Sequence, residues 1–490
     1  MNVRRGLGAI GILLVAAAIW LGIAATGYPR ALTPLKAAPR AIQIDNVSIL
    51  TMAQSVAQGE AETESAPQSL LVIDGVIAGF GDASAIALPD DLKADDIVHI
   101  DGGGKTLMPG LIDAHVHIWD EAELAGYLAH GVTGVRNMSG MPFHLPLQKR
   151  IEEGRILGPD FITTGPILNS PGQNQQDNHQ LVVTAEEARA AVAKQYEQGY
   201  RALKVYSNLH REAYDAVTDE AAKRGMSISG HTPEGVRAAG VPYEKPFDIA
   251  FEESLGRGFT TIEHVESIVW HGLRDQLDEA AMDELAEKIA ASGEAVTPTL
   301  IAHDNLVRVA ESKGAYLNRP GADTINPLLK MLDSGTYEFW SGMDPAPREA
   351  PRAAFYLKAT KALHDAGVPL VAGTDAGIFT NLPGSVMTRE LELLVKAGLT
   401  PYEALQTATV NAGSILSFEK TGVIAPGYRA NLILVDGDPL RDVSVIENPS
   451  AVMIGGKWLD KSKLAELREG ATQTSIPRSA RRAIAMLRDL

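Results

Sequence analysis

The strongest constraint on the fold is an alternation of short apolar segments with helical segments, which runs from about Met108 to Ile415. The helical segments have clear starts. Thr184, with Glu187 three residues later, forms a capping box at the head of Ala185–Gln198. Strands that alternate with helices in this way are typical of a (β/α)8 barrel. The eight candidate strands are Ile112–Val116, Gly134–Asn137, Phe161–Thr164, Ala202–Tyr206, Ser227–Gly230, Thr261–His264, Ala295–Thr299 and Leu370–Gly373.

Strand-like segments also lie on both sides of the barrel region. They are Ala41–Leu50, Leu70–Ile77 and Ile97–Ile100 before it, and Gly422–Ile424, Asn431–Val435, Ala451–Ile454 and Lys457–Leu459 after it. The two flanks are expected to pair as a small composite β-sandwich domain, with the barrel inserted between them. The sequence therefore predicts an α/β protein with several parts. These are a leader at 1–29, the composite β-domain at 41–105 and 420–462, the barrel at 106–419 and a helical tail at 463–490.

The leader is predicted from an uncharged run at residues 6–29, which is rich in Leu, Ile, Ala and Val and follows Arg4 and Arg5. A run of this length, at about 1.5 Å per residue, is long enough to cross a hydrocarbon core of about 30 Å. We predict a signal peptide or an uncleaved membrane anchor, and an extracytoplasmic protein that is anchored, secreted or periplasmic. A buried helix of the globular part is the alternative.

Composition excludes several classes of function. The 490 residues include 44 basic and 61 acidic side chains, and the net charge of −17 argues against a nucleic-acid partner. There is no cysteine, which excludes disulfides, thiol nucleophiles, iron–sulfur clusters and Cys-ligated zinc. The expected partner is a small-molecule substrate, and a homo-oligomer is common enough to be expected.

The C-terminal tail spaces its apolar residues at the period of a helix. Ala480, Ala483, Ile484 and Leu487 are expected on one side, with arginines opposite. We expect this helix to pack on the body of the protein, and contact with an anionic membrane surface is the alternative.

Polar side chains stand at the ends of five of the apolar strands. His115 and His117 are two residues apart on the first strand, so both imidazoles point to the same side. Four of the later strands carry Lys204, His231, His264 and Asp375 at or just after their ends. In a barrel of parallel strands these ends meet at one mouth, where active sites lie. Packing alone does not explain six polar residues at matching strand ends, so we predict the functional site there.

These residues lie in motifs that resemble the amidohydrolase superfamily, in its imidazolonepropionase-related and prolidase-like branch. The run MPGLIDAHVH at 108–117 is similar to the opening signature of the superfamily, and GVTGVR at 131–136 to its second strand. Residues 230–233 resemble its fifth strand, 262–264 its sixth and 370–377 its eighth. Residues 422–436 resemble the return of the chain into the β-domain. The resemblance covers about residues 41–460.

The resemblance implies a hydrolase that cleaves an amide (C–N) bond of a small molecule, such as a dipeptide or an N-acyl amino acid, at a two-metal site. It implies a first ion held by His115, His117 and Asp375, a second held by His231 and His264, and a bridge through Lys204 carboxylated by carbon dioxide. Lys204 and Asp375 would be the catalytic residues, with Asp375 passing a proton to the leaving group. Imidazole and carboxylate ligands favour Zn²⁺, with Mn, Fe or Co as alternatives.

Two residues near these ligands are candidates for substrate binding. Arg136 could clamp a carboxylate, and Tyr206, on the same side of its strand as Lys204, could donate to a substrate carbonyl. For each of them a structural ion pair or a packing role is the alternative.

Other functions stay open. Glu234, three residues after His231, has the spacing of a proton-shuttling Glu in a mononuclear deaminase or imidazolone-type cyclic-amide hydrolase of the same superfamily. A catalytically silent, membrane-associated scaffold on the same fold is the alternative from another class.

Overall fold

The computed structural model describes residues 22, 24–35, 39–53, 67–236, 247–378 and 380–490. Most of the predicted leader, namely residues 1–21 and 23, lies outside the described residues. Within the described ranges, no helix has both the length and the apolar character that a membrane span requires.

The strands alternate with helices over the middle of the chain. The strands are β1 (Ala41–Ile49), β2 (Gln68–Ile73), β3 (Val76–Gly81), β4 (Ile97–Pro109), β5 (Leu111–Val116), β6 (Val132–Asn137), β7 (Asp160–Thr163), β8 (Ile167–Asn169), β9 (His179–Leu181), β10 (Ala202–Val205), β11 (Ser227–Gly230), β12 (Phe259–Glu263), β13 (Ala295–Thr297), β14 (Leu432–Val435), β15 (Ala451–Ile454) and β16 (Lys457–Leu459). The helices are α1 (Glu123–Ala129), α2 (His144–Glu152), α3 (Ala185–Gln198), α4 (Arg211–Arg224), α5 (Val265–Gly272), α6 (Glu279–Ser292), α7 (Leu300–Glu311), α8 (Pro327–Leu332), α9 (Ser334–Gly342), α10 (Glu349–Asp365), α11 (Val386–Ala397), α12 (Pro401–Thr407), α13 (Val410–Ile415), α14 (Lys461–Ala471) and α15 (Ile476–Asp489).

Strands from both flanks form one seven-stranded sheet in the order β16-β15-β14-β4-β1-β2-β3. β14 runs antiparallel to β4, with Ile433 opposite Met108, so the flanks pair with each other as the sequence predicts. The expected sandwich of two facing sheets is not found in the described part of these flanks. The strands form a single sheet instead. This sheet curves, which is shown by the contact between the β2–β3 turn at one edge and the β15–β16 turn at the other. A Cβ atom on Gly75 would lie 2.8 Å from the carbonyl oxygen of Gly455.

Parallel strands build the middle of the molecule. They form a six-stranded sheet in the order β13-β12-β11-β10-β8-β9 and a three-stranded sheet in the order β5-β6-β7. A closed eight-stranded barrel is therefore not found among the described residues. The predicted eighth strand is a short segment with single bridges on either side, from Leu370 to Val296 of β13 and from Ala376 to Val116 of β5.

The helices follow the sequence pattern closely where capping signals are strong. Thr184 Oγ1 accepts from the backbone N–H of Glu187, and the Glu187 carboxylate accepts from the N–H of Thr184, so the predicted capping box opens α3.

The C-terminal helix α15 packs with the opposite face from the one expected. Arg478 and Arg482 are buried and form ion pairs with Asp120 and Glu121, directly after β5. Ile484 and Leu487 are exposed. The reason is that Asp120 and Glu121 are themselves buried, and buried carboxylates require cationic partners.

Candidate metal centre

The parallel strands bring the six predicted ligands to one end of the sheets. His115 and His117 lie on β5 and just beyond it, and Lys204 lies on β10. His231, His264 and Asp375 each come at or just after the carboxyl end of their segments. Five of the six are buried, and His231 is half-buried.

The side chains of these residues converge. Asp375 Oδ1 lies 2.9 Å from His117 Nε2 and 3.4 Å from His115 Nε2. Lys204 Nζ lies 3.5 Å from His115 Nε2. The ring centroids of His115 and His264 are 4.6 Å apart, as are those of His264 and His231. All six positions therefore belong to one cluster, and His115, His117 and Asp375 form a candidate metal-binding triad.

Hydrogen bonds on the outer side of the cluster orient the imidazoles. His115 Nδ1 donates to Glu263 at 2.7 Å. His264 Nδ1 lies 2.7 Å from Thr299 Oγ1, and that hydroxyl donates to the Pro298 carbonyl, so it accepts from the imidazole. These contacts place the proton on Nδ1 and leave the Nε2 lone pairs directed at the common centre.

The electrostatics suit a divalent cation. Burial, followed by the charge of Lys204, lowers the pKa of His115 well below its ordinary value, and burial lowers the pKa of His264 to about 4. Both imidazoles are thus neutral at pH 7, as metal ligands must be. Asp375 keeps a lowered pKa despite its burial, because the imidazole of His117 lies 2.9 Å from its Oδ1 and those of His115 and His264 are also close. Its buried Oδ1 makes no hydrogen bond of good geometry among the described residues, so this oxygen fits a metal ligand.

Arg136 lies behind the cluster and contacts protein groups. Its Nε donates to the Ala114 carbonyl at 2.6 Å, its Nη1 to Ser229 and Thr261, and its Nη2 to Glu263 at 2.7 Å. Arg136 as a residue is 4% exposed. The structure therefore favours the ion-pair alternative for Arg136 over the substrate clamp.

Sequence reasoning missed the residues that support the ligands. Glu263 receives hydrogen bonds from both Arg136 and His115, although the sequence motif points only to its neighbour His264. Asp113 accepts from the N–H of His115 and from Thr374, which joins β5 to the segment that carries Asp375. The signal that could have found both is a carboxylate inside an otherwise apolar strand, which requires buried partners.

A cavity of about 480 Å³ lies beside the cluster, and Tyr206 and His231 are among the residues that line it. The ring of Tyr206 lies 4.0 Å from that of His231, so Tyr206 stays a candidate for substrate contact. The wall carries aromatic and charged side chains, including Glu234, Glu266, Trp270, His303, Trp340, Arg348, Arg352 and Tyr356. Cavities of about 660 and 610 Å³ elsewhere contain none of the six ligands.

A cluster of imidazoles, a carboxylate and a lysine at the ends of parallel strands is the arrangement of a metal-dependent hydrolase. Residues 106–459 match the Amidohydrolase family, and the chain belongs to that family. It is accordingly a metal-dependent hydrolase that acts on C–N bonds.

Two enzymes with assigned names are distant relatives. Ochratoxinase of Aspergillus niger is 23% identical over 456 residues, which cover 78% of this chain and 80% of that protein. Imidazolonepropionase of Deinococcus deserti is 24% identical over 456 residues, which cover 82% of this chain and 95% of that protein. The crystal structure of a Xaa-Pro dipeptidase with bound methionine in its active site matches with a TM-score of 0.61 at 20% identity. The match covers 86% of this chain and 100% of that chain, and it bears on the fold alone.

Proposed function

We propose that this chain hydrolyses an amide bond of a dipeptide or an N-acyl amino acid at a binuclear metal site. The observation that carries the proposal is the position of Lys204. Its amine is 1% exposed and lies 3.5 Å from the imidazole of His115, where an ammonium would oppose metal binding. Burial lowers the pKa of Lys204 to about 8, which favours the neutral amine that reacts with carbon dioxide. A carbamate at this position would be an anionic, bidentate bridge.

The residues present fit the implied metal centre. His115, His117 and Asp375 would hold one ion, His231 and His264 the other, with the Lys204 carbamate between them. The chemistry supplied by divalent ions in such a site, with Zn²⁺ favoured by these ligands, is polarisation of the scissile carbonyl and acidification of a water molecule. Asp375 would accept a proton at its carboxylate and deliver it to the leaving amine. Tyr206 would donate a hydrogen bond from its hydroxyl to the substrate carbonyl.

A closed (β/α)8 barrel is part of the proposal. The segment around residue 372 is hydrogen bonded on both sides, with Val371 N–H donating to Val296 of β13 and Ala114 N–H of β5 donating to Ala372. On the other side, the N–H of Gly165, between β7 and β8, donates to Ala202 of β10. These bonds support a continuous ring of eight strands around the site.

The cavity supports a substrate with an apolar group and a charged end. Trp270, Trp340 and Tyr356 offer apolar surface, and Arg348, whose side chain is 56% exposed, offers a positive charge. Two of the named relatives are an ochratoxinase and an imidazolonepropionase, and the matching crystal structure is of a Xaa-Pro dipeptidase. We therefore place dipeptides and N-acyl amino acids first among the substrates.

A mononuclear deaminase or cyclic-amide hydrolase is the second candidate. The observation that favours it is Glu234, which is buried and lines the same cavity as His231. In that case Glu234 would shuttle the proton and Lys204 would stay an amine.

Metal analysis joined to a substrate screen tests the proposal. The purified chain should bind two metal ions and release an amine from an N-acyl amino acid or an Xaa-Pro dipeptide. The matched Asp375→Asn variant should neither hold two ions nor release the amine. One ion per chain with release of ammonia from a cyclic amidine would support the second candidate. Hydrolysis of lactones or aryl carbamates alone would overturn the amide substrate class.

A further inference from the structure

The C-terminal helix α15 presents an apolar stripe to solvent. Ile476, Ile484 and Leu487 fall on one side of the helix, because the buried arginines occupy the other. Ile484 is 51% and Leu487 55% exposed. Arg481 and Arg488 are exposed beside this stripe, and neither forms an ion pair with a described residue. A helix with exposed apolar residues and flanking arginines has the pattern of an interfacial helix.

The neighbouring helices extend this surface. Asn326, which caps α8, donates to Ser479 of α15 at 2.8 Å, and Leu329 packs in one cluster with Met486. The residues of α8 and α9 on the outside are Met331, Leu332 and Phe339, which are 63%, 65% and 64% exposed. We call these three residues together with Ile484 and Leu487 the apolar face. Large apolar side chains exposed on three packed helices mark an interaction site.

The apolar N-terminal run ends beside α15. Ser475, the residue before α15, donates its hydroxyl to the Ala24 carbonyl at 2.8 Å, and Arg478 donates to the Gly27 carbonyl at 2.7 Å. Ala24 and Gly27 are the last part of the uncharged run at residues 6–29. The segment of this chain best suited to enter a bilayer therefore ends beside α15.

The apolar face adjoins the cavity beside the metal centre. α15 is bound through Arg482 to the carbonyl of Trp119, two residues after the ligand His117. Phe339 of the apolar face also lines the cavity beside the metal centre. The face and the mouth of the site therefore share one surface.

We propose that the apolar face rests on an anionic lipid bilayer. Local charge favours this partner, because Arg481 and Arg488 are exposed beside the stripe, whereas Arg478 and Arg482 are buried in ion pairs with Asp120 and Glu121. Arg481 and Arg488 would contact lipid phosphates while the apolar side chains enter the boundary between headgroups and acyl chains. The mouth of the cavity would then open next to the membrane surface.

The absence of cysteine gives a direct test on the full chain. Leu487→Cys and Leu332→Cys, each labelled with a polarity-sensitive fluorophore, report the environment of two helices of the apolar face. Val98→Cys is the matched control, because Val98 is also an exposed apolar residue but lies on β4 of the seven-stranded sheet. The vesicles are phosphatidylcholine, alone or mixed with phosphatidylglycerol.

The expected result is a shift to shorter emission wavelength at 487 and 332 with the anionic vesicles, quenching by lipids labelled in the acyl chain, and no change at 98. Adding Arg481→Gln and Arg488→Gln to Leu487→Cys should weaken this response about thirtyfold in lipid concentration. An unshifted emission at both positions, while the protein sediments with the vesicles through its N-terminal run, would overturn the proposal. A shift without vesicles that grows with protein concentration would overturn it in favour of a second copy.

Discussion

Lys204 is the residue on which the proposed two-metal chemistry depends. If its carbamate bridges two ions, Lys204→Ala should lose metal and lower kcat by more than about a hundredfold, since outer-sphere changes alone cost tenfold to a hundredfold. The measurements are metal content per chain and steady-state kinetics on the substrate found in the screen. Added acetate or propionate should restore part of the activity by filling the space with a carboxylate.

Lys149→Ala is the control, because Lys149 carries an exposed ammonium on α2 away from the ligands. A Lys204→Ala protein that keeps two ions and normal kcat would show that the lysine has no bridging role.

Arg136 and Glu263 form a buried ion pair, so each charge is stabilised in the fold by the other. Glu263→Gln should lower the free energy of unfolding by about 3–5 kcal/mol, because it leaves the guanidinium of Arg136 buried without its counter-charge. The double variant Arg136→Met/Glu263→Gln should lose less than the sum of the two single changes. Denaturant unfolding of the four proteins in the cycle measures the coupling. Additive losses would mean that the pair is not coupled, and Arg136 would again be available for substrate.

At this scale the sequence predicts the ligands better than their support. His115 and His117 could be found because two residues on one strand must share a side, and the others because parallel strands end together. The partners Glu263, Thr299 and Asp113 act across different strands, so their contacts depend on register and rotamer, which spacing does not encode. Arg136 was ambiguous for the same reason: the sequence places it on a strand but does not reveal Glu263 opposite it.

Glu390, on α11, stabilises the start of α7. Its carboxylate accepts from the N–H groups of Leu300 and Ile301 at 3.1 and 2.7 Å. The helix dipole and these bonds favour the ionised form, but complete burial outweighs them and raises the pKa of Glu390 from 4.5 to about 8. Between about pH 4.5 and pH 8, Glu390 is therefore protonated in the folded protein and ionised in the unfolded chain.

This shift predicts a pH dependence of stability. The contribution of Glu390 is complete below about pH 4.5 and falls as the pH rises to about 8, by up to about 1.4 kcal/mol per pH unit. Glu390→Gln, which mimics the protonated acid, should remove that part of the slope. Denaturant midpoints between about pH 5 and about pH 8 compare the two proteins. Identical slopes would mean that Glu390 is ionised in the fold.

Among elements, prediction succeeded where local signals decide and failed where tertiary contacts do. The capping box at Thr184 defines α3 in the sequence and in the structure alike. The pattern of α15 predicts a helix, but apolar residues alone suggested the wrong buried face, because the acids Asp120 and Glu121 that attract its arginines are distant in sequence. α8 and α9 carry large apolar residues that are exposed in the structure. Their apolar residues therefore do not follow the one-sided pattern by which a packed helix is predicted.

The two ends of the chain meet at the loop that follows the first ligand strand. The C-terminal arginines bind Asp120 and Glu121, and Arg478 also binds the carbonyl of Gly27 from the N-terminal segment. β5 carries His115 and His117 into this loop. Segments from both ends of the chain therefore pack at the loop that follows His117, and strand patterns alone could not predict these contacts.

The charge of the whole molecule predicts how salt affects catalysis. A net charge of −17 repels an anionic substrate over the Debye length, which is about 30 Å at 0.01 M salt and about 8 Å at 0.15 M. If the substrate is an N-acyl amino acid, whose carboxylate is ionised, kcat/KM should rise as salt is added over this range. The corresponding N-acyl amino acid amide, which is neutral, should show no such rise and serves as the matched control. A fall in kcat/KM for the acid would mean that local cations such as Arg348 outweigh the net charge and attract the substrate into the cavity.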